Sequence, residues 1–197
     1  MRIIGICGIS GSGKSYLLQR LKELIPSEIS ILSTDDYYKN KELQQKDENG
    51  IENFDLPSSI KMDQLLEDVE SLRKGIPVII KKYAFNLKDA KPIEITIEPR
   101  PILLIEGIFV LSNEKLKEYF VHTVFIKSDI HKVLEKRIVR DVAERGMIEA
   151  EVRYQWENHV LPGYENFVLP YETTVNTVVV NDHTSDDFVQ QVYNEIK

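Results

Sequence analysis

The chain has 197 residues and one cysteine, Cys7, so it can form no disulfide within itself. That suits a reducing compartment. It lacks a basic surplus: 25 Lys and Arg stand against 32 Asp and Glu, a formal net charge of −7. A protein that grips nucleic acid through its overall field needs the opposite sign, so no nucleic-acid partner is expected. No apolar run approaches the ~18 residues of a membrane span, so no membrane partner is expected either. The first apolar segment begins at Ile3, and we expect no signal peptide and a cytoplasmic protein. Internal repeats and low-complexity tracts are absent from the sequence. One domain over residues 1–197 is the expectation, long enough for a core of its own.

What is present begins with Gly8-Ile9-Ser10-Gly11-Ser12-Gly13-Lys14-Ser15. This fits G-x-x-x-x-G-K-[ST], the loop whose backbone N–H groups cradle phosphates. Residues 3–7 before it read as a buried strand, and apolar residues recur at helical spacing over 14–25 after it. A strand, a glycine turn and a helix start aim several N–H groups at one anion. Lys14 adds charge for the outer phosphates, and the Ser15 hydroxyl can ligate Mg²⁺. Gly8, Ser10, Gly11, Ser12, Gly13, Lys14, Ser15 and Tyr16 are therefore the expected nucleotide-binding residues. Cys7, inside the strand, reads as a small core residue.

Strand-like and helix-like segments then alternate, which predicts an α/β fold with a doubly wound, mainly parallel sheet and helices on both faces. Strands are expected at 29–32, 102–105, 123–126 and 175–180, with 102–105, the most apolar, at the centre of the sheet. Helices are expected at 60–72, 130–145, 149–167 with a break near Pro162, and 186–196. Residues 78–80 and 93–97 read as a β-hairpin excursion spanning about 76–98. The long polar stretch between Asp35 and Pro57 reads as a functional or mobile loop.

Four further groups could carry chemistry. Asp35 and Asp36 follow the second strand, where a carboxylate would face the outer phosphate and serve as a base toward a hydroxyl. One of them could instead cap the next helical turn. Glu106 ends the most apolar strand, where a Mg²⁺ shell would lie. Arg137, Arg140 and Arg145 lie on one basic helix and suit phosphate oxygens as a lid over about 129–147; a solvated face with an Arg140–Glu144 pair is the plain alternative. Phe54, Tyr83 and Phe85, with Tyr37 and Tyr38, offer aromatic faces for a planar base.

These residues together resemble the uridine/cytidine kinase family of P-loop kinases, over most of the chain. Residues 32–39 resemble the segment carrying that family's catalytic aspartate, which falls on Asp35. Asn53-Phe54-Asp55-Leu56-Pro57 is similar to N-F-D-x-P, whose aspartate holds the ribose hydroxyls, here Asp55. Ile105-Glu106-Gly107-Ile108 resembles the E-G-I after the central strand. Residues 136–146 are similar to the lid helix, and Gln155 aligns with a substrate-contacting glutamine. The base-reading segment departs from the pattern: Lys81, Ala84, Lys88 and Ala90 replace its proline, aspartate, histidine and arginine, and Met147 replaces the arginine after E-R-G.

The resemblance implies a P-loop kinase that uses ATP and Mg²⁺ to phosphorylate the 5′-hydroxyl of uridine or cytidine. Asp35, Lys14, Arg137 and Arg140 would be catalytic. Phe54, Asp55, Tyr83, Phe85, Arg137 and Gln155 would bind the nucleoside, and Arg145 the nucleotide. The metal would fall to Ser15 and Glu106. Residues 181–186 would neighbour the adenine. A kinase for nicotinamide riboside, pantothenate or a phosphoribulokinase-type acceptor stays open, as does a non-catalytic nucleotide sensor. A GTPase switch would carry N-K-x-D, but the Asn40-Lys41 pair is followed by Glu42-Leu43. Assembly into a homo-oligomer is left open.

Overall fold

The computed structural model describes residues 1–83, 93–182 and 184–197. The expected segment of Ala84, Phe85, Lys88 and Ala90 lies outside the described residues. Five strands form one parallel sheet: β1 (Arg2–Gly8), β2 (Ile29–Ser33), β7 (Ile102–Glu106), β8 (Phe120–Lys127) and β9 (Thr177–Val180), in the order β2-β7-β1-β8-β9. β1 takes the middle, which corrects the expectation for residues 102–105. β7 is nonetheless interior and buried at every position.

Period-two alternation sends side chains to two faces, and helices cover both. Ile3, Cys7, Leu103, Ile105 and Phe125 pack on one side with Leu65, Val69 and Leu72 of α2 (Met62–Arg73). Ile4, Ile6, Leu104, Val124 and Ile126 pack on the other, with Leu17 and Leu21 of α1 (Lys14–Leu24) and Phe188 and Val192 of α7 (Asp187–Ile196). Each such aliphatic, fully buried, contributes about 1.5–3 kcal/mol. Burial also pushes the Cys7 thiol up to about 12.

The helix of the basic run, α4 (Ile130–Arg145), has the expected bounds. Asp129 caps its start by accepting from His131 N at 2.8 Å, and Gly146 ends it with φ 66°. The segment after it divides into α5 (Glu149–Gln155), a π-turn (Trp156–Val160) and α6 (Leu161–Phe167). The break thus falls one turn before Pro162, which sits in the first turn of α6. A proline ring clashes with the carbonyl four residues earlier, and the widened π-turn relieves that clash.

The polar stretch 35–57 is built of short pieces. It holds 3₁₀ turns at Thr34–Tyr37 and Lys41–Leu43 and an antiparallel pair, β3 (Gln45–Lys46) with β4 (Glu52–Asn53). A bridge between Tyr38 and Ile60 draws its two ends together. β5 (Val78–Lys81) and β6 (Glu94–Ile97) pair as the expected hairpin. α3 (Glu114–Lys117) and a 3₁₀ turn at Leu169–Thr173 had no counterpart in the sequence reading.

Candidate active site

Parallel register aligns the carboxyl ends of three neighbouring strands. Ser33 of β2 sits opposite Glu106 of β7, which sits opposite Ile6 of β1. The glycine loop leaves β1 at that edge and runs into α1. Gly13 there has φ 99°, and a side chain on it would run into Asn181 Nδ2, so only glycine fits. Asn181 in turn donates to Ser12 O at 2.9 Å, and Ser128 Oγ donates to the same carbonyl at 3.2 Å. The loop is thereby tied to the ends of β8 and β9. Lys14 is buried and donates to Gly8 O at 3.1 Å and Ile9 O at 3.2 Å. Ser15 and Tyr16 are exposed, with the Tyr16 hydroxyl on Asp186 at 2.6 Å.

The two neighbouring aspartates separate. Capping falls to Ser33, whose Oγ accepts from Asp35 N at 3.3 Å and donates to Glu106 Oε1 at 2.6 Å. Asp36 turns to the hairpin, accepting from Lys82 Nζ at 2.9 Å and Tyr83 N at 3.2 Å. Asp35 is left facing a cavity. Its carboxyl is raised by burial, against the pull of Lys14, Arg145 and Arg140. Burial, with the Asp35 charge beside it, pushes Glu106 up to about 7.

That cavity measures about 470 Å³. Ser10 of the phosphate loop and Asp35 line it together with Phe54, Asp55, Tyr83 and Gln155, and Arg137, Arg140 and Arg145 of α4 open into it. Tyr38 stands between Phe54 (5.8 Å between ring centres) and Tyr83 (5.6 Å). Tyr37 belongs elsewhere: its hydroxyl donates to Asp68 on α2 at 2.7 Å. The Arg140–Glu144 pair gives way to a different arrangement, in which Arg140 Nε bonds Asp141 at 2.8 Å and Arg137 reaches Ser10 Oγ at 3.2 Å. Asp55 is buried, and burial raises its carboxyl against the opposing pull of Arg137 and His159.

Sequence reasoning missed Lys41, Glu42, Glu52, Glu151 and His159, which also line the cavity. The acids and the lysine read as solvated loop residues. His159 was hidden inside an unremarkable helix. It also missed Gly163, whose place on α6 lets the backbone of Asp55 approach so closely that a Cβ would strike Asp55 O.

A phosphate-cradling loop and a carboxylate at the edge of one cavity form an arrangement for moving a phosphoryl group onto a hydroxyl. With a parallel sheet behind it, it defines a P-loop kinase of small molecules. The chain belongs to the phosphoribulokinase/uridine kinase family, whose model matches residues 3–186. It is 29% identical over 198 residues to the uridine kinase of Chlamydia pneumoniae, covering 100% of this chain and 89% of that protein. It is 30% identical over 182 residues to the uridine kinase of Yersinia enterocolitica, covering 90% and 85%. The solved phosphoribulokinase of Rhodobacter spheroides shares the fold, with a TM-score of 0.64 at 14% identity over 93% of this chain and 72% of that one.

Proposed function

We propose that the protein transfers the terminal phosphoryl group of ATP to the 5′-hydroxyl of uridine or cytidine. The observation that carries this reading is the single cavity shared by Asp35, Asp55 and the three lid arginines. Backbone N–H groups of residues 11–15 and the Lys14 ammonium hold the phosphates. Lys14 now rests on two loop carbonyls, contacts that a phosphate oxygen would replace. Asp35 orients the attacking hydroxyl and accepts its proton as the new P–O bond forms. Arg137, Arg140 and Arg145 neutralise the charge on the group in flight.

Asp55 takes the ribose hydroxyls, and Phe54, Tyr83 and Gln155 border the base. The metal site fits Mg²⁺ in its chemistry: the Ser15 hydroxyl and the Glu106 carboxylate are hard oxygen donors, and burial with the Asp35 charge nearby raises Glu106, which a cation would relieve. Bound there, Mg²⁺ would supply charge neutralisation between the outer phosphates. The test is ADP release with uridine, cytidine, nicotinamide riboside and pantothenate. Release that depends on uridine or cytidine supports the reading. Release with another acceptor only, or with none, overturns it.

A further inference from the structure

Outside the groups already assigned a task, one buried imidazole faces the cavity. His159 is 2% exposed and lies on the π-turn, a helix irregularity that recurs at functional sites. Its Nε2 is 2.8 Å from Asp47 Oδ2. Asp47 sits in the loop after β3 and is unusually well supplied with donors. Burial pushes its carboxyl up, but bonds from Ile51 N, the Tyr154 hydroxyl, His159 and Asn49 N outweigh that and hold it well below the ordinary aspartate range. Asp47 is therefore an ionised acceptor, and the proton in the His159–Asp47 contact sits on Nε2. The Tyr154 ring stands edge-on to the imidazole at 5.9 Å and 85°, fixing its plane. Nδ1 remains, and among the described residues nothing bonds to it.

The place of this residue on the cavity wall follows from the helix. Gly163 lies four residues after His159, hence on roughly the same face, and Gly163 is where α6 presses on the backbone of Asp55. His159 thus comes beside Asp55 on the cavity wall. A carboxylate and an imidazole nitrogen lining one cavity are two acceptors, and a vicinal diol presents two donors. We propose that His159 Nδ1 accepts a hydrogen bond from one ribose hydroxyl of the acceptor while Asp55 takes its neighbour, with Asp47 as the positioning residue that sets the tautomer. The assignment rests on the nucleoside reading above.

The test compares uridine, 2′-deoxyuridine and 3′-deoxyuridine at saturating MgATP in the unaltered protein and in His159→Phe, which keeps a ring and removes both nitrogens. The expected result is a KM for uridine raised about ten- to a hundredfold, the loss of one hydrogen bond, with the KM for ATP unchanged. One of the two deoxynucleosides, poor with the unaltered protein, should lose no further ground in the variant. Equal deoxy penalties in both proteins overturn the assignment. A variant that fails to fold leaves a second measurement, ¹⁵N NMR of the unaltered protein: uridine should move the His159 Nδ1 resonance, and an unmoved resonance overturns the proposal. If the unaltered protein releases no ADP with uridine, the nucleoside reading itself fails and this assignment with it.

Discussion

Three guanidiniums converge on one carboxylate of α4. Asp141 is fully buried, with Arg140 Nε at 2.8 Å, Arg137 Nε at 3.2 Å and Arg145 Nη1 at 3.3 Å. The Arg137 contact is close enough for an ion pair but misaligned for a hydrogen bond, and Arg140 Nη2 is buried with no partner. The three guanidiniums share that carboxylate beside the cavity, which suits a phosphate group in transit. Asp141→Asn should therefore cost about 3 kcal/mol of stability, as for a broken buried pair. It should also lower kcat more than it raises the KM for ATP, because the arginines lose their common anchor. Urea unfolding and steady-state kinetics check the two halves. A variant of unchanged stability and kcat would assign the carboxylate no such role.

At the scale of elements, the placement of Asp55 in the cavity wall depends on a close approach between α6 and the segment after β4. Gly163→Ala puts a methyl group into Asp55 O, with only backbone to give way. Overpacking of this kind costs about 1–3 kcal/mol. Because the displaced residue is Asp55, the KM for the nucleoside should rise while that for ATP holds; a thermal melt and two KM values decide it. This contact marks where sequence reading stops. The phosphate loop, the strand tips bearing Asp35 and Glu106, and α4 were legible because local rules fix them: glycine spacing, period-two runs and a glycine stop. Gly163 and His159 were not, because their meaning comes from a partner more than 100 residues away. Nor was the π-turn, since the relief that Pro162 requires can fall at any residue of the preceding turn. The pair β3–β4 was too short to alternate visibly. Tyr37 looked equal to Tyr38 in sequence, yet a 3₁₀ turn sends the two in different directions.

Over the whole molecule, Asp47 ties the loop after β3 to Tyr154 on α5 and His159 on the π-turn. Its folded pKa lies below the unfolded one, so its contribution is present above the ordinary aspartate value of about 4 and is lost as pH falls toward the folded value. The melting temperature should drop through that window, and Asp47→Asn should melt lower at pH 7 with a shallower acid limb. Parallel acid limbs in the two proteins would place the linkage elsewhere. Cys7 gives a global probe, since a thiol pushed up to about 12 in the sheet core is not a nucleophile. Iodoacetamide at pH 8 should label it only at the rate of global opening, and fast labelling of the native protein would contradict the core described here.

Asp35, just past the end of β2, lines the cavity together with Ser10 of the phosphate loop. Asp35→Asn keeps the shape and removes the base. The direct measurement is uridine-dependent ADP release at saturating MgATP, beside ATP affinity by titration. The expected result is a kcat lower by about 10³-fold or more with ATP affinity within a few-fold of the unaltered protein; a near-normal kcat would rule out Asp35 as the base.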